Sequence, residues 1–166
     1  MLKRLVCILL CTVLIAAAAP GAWAKGCELG TTEKFMEALD EEGLFYSYEG
    51  EYNVYEVVEI SFETKVIDDL EMIWFFDSNE RSVTVAWQPF EYDTSLRDEL
   101  LEELNQLNAE YSFIKWFTVD DSDKIMTQMD LIIRDNENLG EICLDAMKVY
   151  LETMDESYER LLYYAA

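Results

Sequence analysis

Thirty-five carboxylates and not one histidine set the chemistry open to this chain. Histidine is the side chain that ordinarily exchanges protons near neutral pH and the commonest zinc ligand, so most catalytic triads and zinc sites are excluded. Paired carboxylates can hydrolyse glycosides, but that chemistry depends on a separation in space which spacing along the chain does not set. With this many acids, a pair in any given segment is expected by chance. No nucleophile with an orienting base can be assembled from the motifs, so no catalytic residue and no cofactor is assigned and an enzyme is not expected.

Calcium is the other chemistry that clustered acids suggest. An EF-hand read from Asp135 places Gly140 correctly at the sixth position, but Leu139 at the fifth and Ala146 at the twelfth offer no side-chain oxygen. Read from Asp121, the third position is Asp123, yet Ile125 is fifth and Met126 stands where glycine is required. The run Asp120-Asp121-Ser122-Asp123 is therefore read as a solvated hairpin turn, and no metal site is assigned. Asn105 and Asn108, near a helix end, are read as bonding the backbone of the departing loop. Cys27 and Cys143 lie 116 residues apart, and in an oxidising compartment they can pair, while a buried thiol with a free one in a tail is the alternative.

The compartment follows from the first residues. Met1-Leu2-Lys3-Arg4 is basic, Leu5 to Ala19 is apolar, and Pro20-Gly21-Ala22-Trp23-Ala24 offers the small-x-small step of a signal peptidase site. An apolar run of about 15 residues is short for a membrane span of about 20. Cleavage after Ala24 is expected, giving an exported chain of 142 residues, periplasmic or secreted and free of the membrane. A lipoprotein reading at Cys27 fits poorly, because Lys25 stands two residues before it. Lys3 and Arg4 leave with the signal, so the formal charge of −23 becomes −25. That field repels nucleic acid and anionic lipid and favours cationic partners.

The mature chain divides into a tail, residues 25–30, and one domain, residues 31–166. Phe35, Ala38 and Leu39 predict a helix from Thr31 to Glu42, capped by Thr31 or Thr32 and stopped at Gly43. Val58, Ile60 and Phe62 alternate with polar residues as a strand does, and Leu70 to Phe76 is apolar on both sides, which predicts a central strand covered on both faces. Ser82 to Gln88 completes a meander. Leu96, Leu100, Leu104 and Leu107 mark a second helix, Ser112–Val119 and Lys124–Arg134 two more strands, and Ile142, Ala146, Val149, Tyr150, Met154, Tyr158 and Leu161 the stripe of a long last helix. The expected class is α+β, an antiparallel sheet of about five strands with helices on one side, in the order α-β-β-β-α-β-β-α.

Arg97-Asp98-Glu99-Leu100-Leu101-Glu102-Glu103-Leu104-Asn105-Gln106-Leu107-Asn108, followed by Phe113, Trp116, Phe117 and the Asp120 turn, resembles the YbjN domain family. Val83-Thr84-Val85-Ala86-Trp87-Gln88-Pro89-Phe90 and the terminal Tyr158-x-x-Leu161 extend the resemblance over Glu33 to Leu162. It implies a fold similar to that of type III secretion chaperones, small acidic α+β proteins that often dimerise and hold partner chains along a sheet surface. The family is described as a putative sensory transduction regulator, and no catalytic residues come with it. The export signal departs from cytoplasmic relatives. The expected function is thus a non-enzymatic binding module, chaperone-like or regulatory, for a cationic or partly unfolded protein or peptide. Trp74, Trp87 and Trp116 are the partner-binding candidates, since aromatics on strands can line a groove. The alternatives are a structural component of the cell envelope and, less favoured, a weak metal-binding enzyme.

Overall fold

A computed structural model describes residues 26–120, 122–134 and 137–166. Residues 1–25, which include the expected signal, and Asp121, Asp135 and Asn136 lie outside the described residues. Helix α1 spans Gly30–Glu42, strands β1 to β4 span Ser47–Tyr52, Tyr55–Phe62, Leu70–Asp77 and Ser82–Trp87, and α2 spans Arg97–Glu110. Strands β5, Lys115–Thr118, and β6, Ile125–Ile132, precede α3, Leu139–Leu161. The sheet is antiparallel in the order β1-β2-β3-β4-β6-β5. The class and meander agree with expectation, with one strand more: β1 pairs with β2 across the Asn53-Val54 turn and carries a bulge between Tyr48 and Gly50.

All three helices pack on one face of this sheet. Phe35, Met36 and Leu39 of α1 and Leu100, Leu104 and Leu107 of α2 join Val58, Met72, Trp74, Phe76, Val83 and Val85 in one core. The leucine stripe of α2 is as the spacing predicts. That of α3 is turned by one residue: Leu139, Cys143, Met147, Tyr150, Met154 and Leu161 are buried, while Ile142 and Val149 face solvent. Gly140 of α3 sits directly against α1. A Cβ built there would lie 2.7 Å from Ala38 Cβ and 3.0 Å from the Lys34 carbonyl oxygen.

The start of α1 is held differently from the expected threonine cap. Thr31 and Thr32 lie inside the first turn with buried hydroxyls, and the backbone N–H groups find carboxylates from distant strands instead. Glu56 of β2, buried, accepts from the N–H groups of Glu28 and Leu29 and from the Tyr48 hydroxyl at 3.0 Å. Glu80, in the turn after β3, accepts from the Thr31 N–H at 3.1 Å. Negative charge at a helix N-terminus is favourable because the N–H dipoles there are unopposed.

Candidate functional site

The face of the sheet away from the helices carries no layer among the described residues. Side chains alternate across a strand, so Met72, Trp74 and Phe76 point into the core while Ile73 and Phe75 point outward, half-buried. The expected covering of β3 on both faces is therefore corrected: one face lies under helices and the other is open. Cross-strand register sets Val57 beside Phe75 and Ile73 beside Ala86, an apolar centre in which Ile73 and Phe75 are half-buried while Val57 and Ala86 are only 6% and 8% exposed between their neighbours. Tyr55 adds its ring edge-on to Phe75, centroids 6.0 Å apart. Towards β5, Met126 lies opposite Phe117, which is exposed.

Acids rim this centre. On β2, Glu59 lies opposite Ile73, and its carboxyl is held above the ordinary carboxylate range by partial burial first, then by the charges of Glu71 and Glu49. The ion pairs among the described residues lie elsewhere: Arg160 joins Glu103 at 2.6 Å and Glu110 at 2.7 Å, and Lys148 meets Asp145. Asp130 accepts from the Thr84 hydroxyl at 2.7 Å at the other margin. The surface is thus a small apolar platform with Glu49, Glu59 and Glu71 on its β1–β3 side and exposed Lys115 of β5 at the far end of the same row, and its acidic side attracts a ligand with positive charge and apolar surface together.

The three tryptophans assigned to partner contact are not on it. Trp74, Trp87 and Trp116 are 0%, 5% and 1% exposed, and each faces the helices. Trp74 stacks at 4.4 Å on Phe35 of α1, Trp87 lies 5.7 Å from Tyr158 of α3, and Trp116 lies 5.5 Å from Tyr111, just past α2. Each ring anchors a different helix to the sheet, which is why none is available to a partner. Phe75 and Phe117, also strand aromatics, do lie on the open face.

Cys27 and Cys143 stand as free thiols in this structure. Cys143 is buried within the core on α3, and burial pushes its thiol up to about 12. Cys27 is half-buried near Glu56 and Glu33, and its thiol is raised by burial and then by those charges. Among the described residues no group of three or more acids or cysteines is placed to hold a metal. Asn108 does the structural work expected of it. Its amide donates to the Trp116 carbonyl at 2.8 Å and accepts from the Trp116 N–H at 2.9 Å, while Asn105 is exposed.

A family model, YbjN, described as "Putative bacterial sensory transduction regulator", matches residues 33–162. Among solved structures the chain is similar to that of YbjN, a putative transcription regulator from E. coli, with 15% identity and a TM-score of 0.51. The likeness covers 78% of this chain and 92% of that one, and at such identity it concerns the fold. No curated protein matches the chain.

Proposed function

Since the chain belongs to the YbjN family, we propose that it is an exported binding module, regulatory or chaperone-like, that holds a cationic protein or peptide partner without catalytic turnover. The observation that carries this reading is the open sheet face, where half-exposed Ile73 and Phe75, backed by buried Val57 and Ala86, form an apolar centre beside Glu49, Glu59 and Glu71. Regulation, the role in the family's description, works through reversible binding, and a chain without histidine has few means of catalysis. Charge steers a cationic partner to the surface, and desolvated apolar contact retains it. Export is supported by the basic, apolar and Ala22-x-Ala24 sequence of the first 24 residues.

Affinity capture from envelope extract, with wild type and Phe75→Ala as baits at low and high salt, tests the mechanism. Salt is expected to slow association and the substitution to speed dissociation. A partner whose binding is indifferent to both would refute it, and co-fractionation with the cell wall and no soluble partner would favour a structural role. Mass spectrometry of the exported protein should find Lys25 as the first residue; an intact Met1 or a lipid on Cys27 would overturn the export reading.

A further inference from the structure

The two edges of the sheet are finished differently. At the β5 edge the Asn108 side chain bonds both the N–H and the C=O of Trp116, so α2 supplies the pairing that another strand would give. At the β1 edge the structure supplies nothing comparable. Among the described residues, the backbone of Ser47–Tyr52 bonds only to β2, and four of its six residues are exposed. In an antiparallel pair, every second residue turns its N–H and C=O away from its partner, so β1 presents unpaired donors and acceptors to solvent.

Charge decides what can use them. Glu49 accepts from the Ser47 hydroxyl and acts on Glu59 of the open face. Glu51 lies opposite Glu56, on the helix side, and its charge reaches Tyr48. An incoming strand therefore meets carboxylate on both of its faces. A second copy would bring its own Glu49 and Glu51 against them, and charged residues with a bulge are the usual defence of an edge against self-pairing. The same charges favour a strand that carries lysine or arginine.

We propose that the β1 edge takes up an extended, basic segment of a partner protein as a seventh strand. This rests on the reading of the chain as a binding module for a cationic partner and adds where, and in what conformation, that partner is held. Six residues of β1 span roughly 20 Å and match a partner segment of about the same length. Main-chain hydrogen bonds give such a complex its affinity, and the basic side chains give it selectivity.

The test uses an end-blocked octapeptide of alternating lysine and threonine. Two versions are methylated on the backbone nitrogens of one or the other alternate set, and a fourth peptide replaces lysine with glutamate. The lysine peptide is expected to bind at low salt and to slow amide exchange in Ser47–Tyr52. Methylation of one set should weaken binding by on the order of tenfold, because it removes the donors facing β1. The glutamate peptide should not bind, and Glu49→Lys with Glu51→Lys, both at exposed positions, should abolish binding with melting preserved. If both methylated peptides bind as tightly as the parent and β1 amides exchange unchanged, the edge is not the site, while the open-face reading stands. If the lysine peptide does not bind at all, the edge inference falls, while the open-face reading, which requires apolar contact, is decided by the capture with Phe75→Ala. Concentration-dependent protection of β1 without peptide would assign the edge to a second copy and overturn the inference.

Discussion

Replacing Glu56 with alanine should unlatch the start of the first helix. The carboxylate is 1% exposed and accepts from two backbone N–H groups and one tyrosine hydroxyl. A hydrogen bond to a charged group is worth about 1.5–3 kcal/mol net, and a stranded donor costs about 1–3 kcal/mol. The sum is not all lost, because Glu28 is exposed and Tyr48 half-buried, so water can replace part of it. Burying the carboxylate also carried its own desolvation cost, which the substitution removes. A net loss of about 2–3 kcal/mol remains, and for a domain of this size that lowers Tm by roughly 6–12 °C. Thermal and urea denaturation measure the loss, and amide exchange at Glu28 and Leu29 localises it. Glu56→Gln, which keeps one acceptor oxygen, should lie between alanine and wild type, while Glu51→Ala, across the strand pair but exposed, should change little. A Glu56→Ala protein that melts with wild type, or with exchange at Leu29 unaltered, would show that the carboxylate does not hold the segment.

Leu104→Asp should unfold the domain, because a buried unpaired carboxylate costs several kcal/mol against a total stability of about 5–15 kcal/mol, while Glu102→Ala on the exposed face should leave the melt unchanged. Glu59 is raised in the folded state, so the fold binds its proton more tightly than the unfolded chain does. Glu59 therefore opposes folding above the ordinary carboxylate pKa, and Glu59→Gln should melt higher than wild type at pH 7, the difference vanishing below about pH 4. A thiol reagent should modify Cys27 slowly in the native, reduced protein and Cys143 only after denaturant is added, read by mass spectrometry. Rapid labelling of Cys143 would contradict its place in the core.

The elements that were legible in the sequence are those with a single apolar stripe or a clean alternation. Leu100, Leu104 and Leu107 stand among mostly charged and amide side chains, so only one face of α2 can be inward. In α3 the inner row of Leu139, Cys143 and Met147 runs beside an outer row of Ile142 and Val149, and the two rows converge on Tyr150 and Met154. Periodicity fits either row, and only packing against α1 at Gly140 selects one. Strand β1, Ser-Tyr-Glu-Gly-Glu-Tyr, has no β-branched residue and a glycine at φ 84°, and as an edge it buries too little to leave an alternating pattern. The tryptophans misled because β3 is apolar at every position from Met72 to Phe76, which hides the parity that separates Trp74 from Phe75. The Glu56 and Glu80 contacts to α1 join residues 27 to 49 positions apart, beyond any local rule of capping.

Strand β6 is the last to be synthesised, yet it lies between β4 and β5. A growing chain can close the hairpins of β1 to β4 as they emerge, but β5 has no sheet to join until Ile125–Ile132 is available, and then two pairings form together. The second half of the sheet is thus a late event, closed over a long sequence separation, and such closures are slow. For the export proposed above this timing is useful: a nascent chain that has not yet locked its sheet can be threaded through a translocation pore in extended form. The completed fold would then be reached only on the far side, after the connection through β6 has been made.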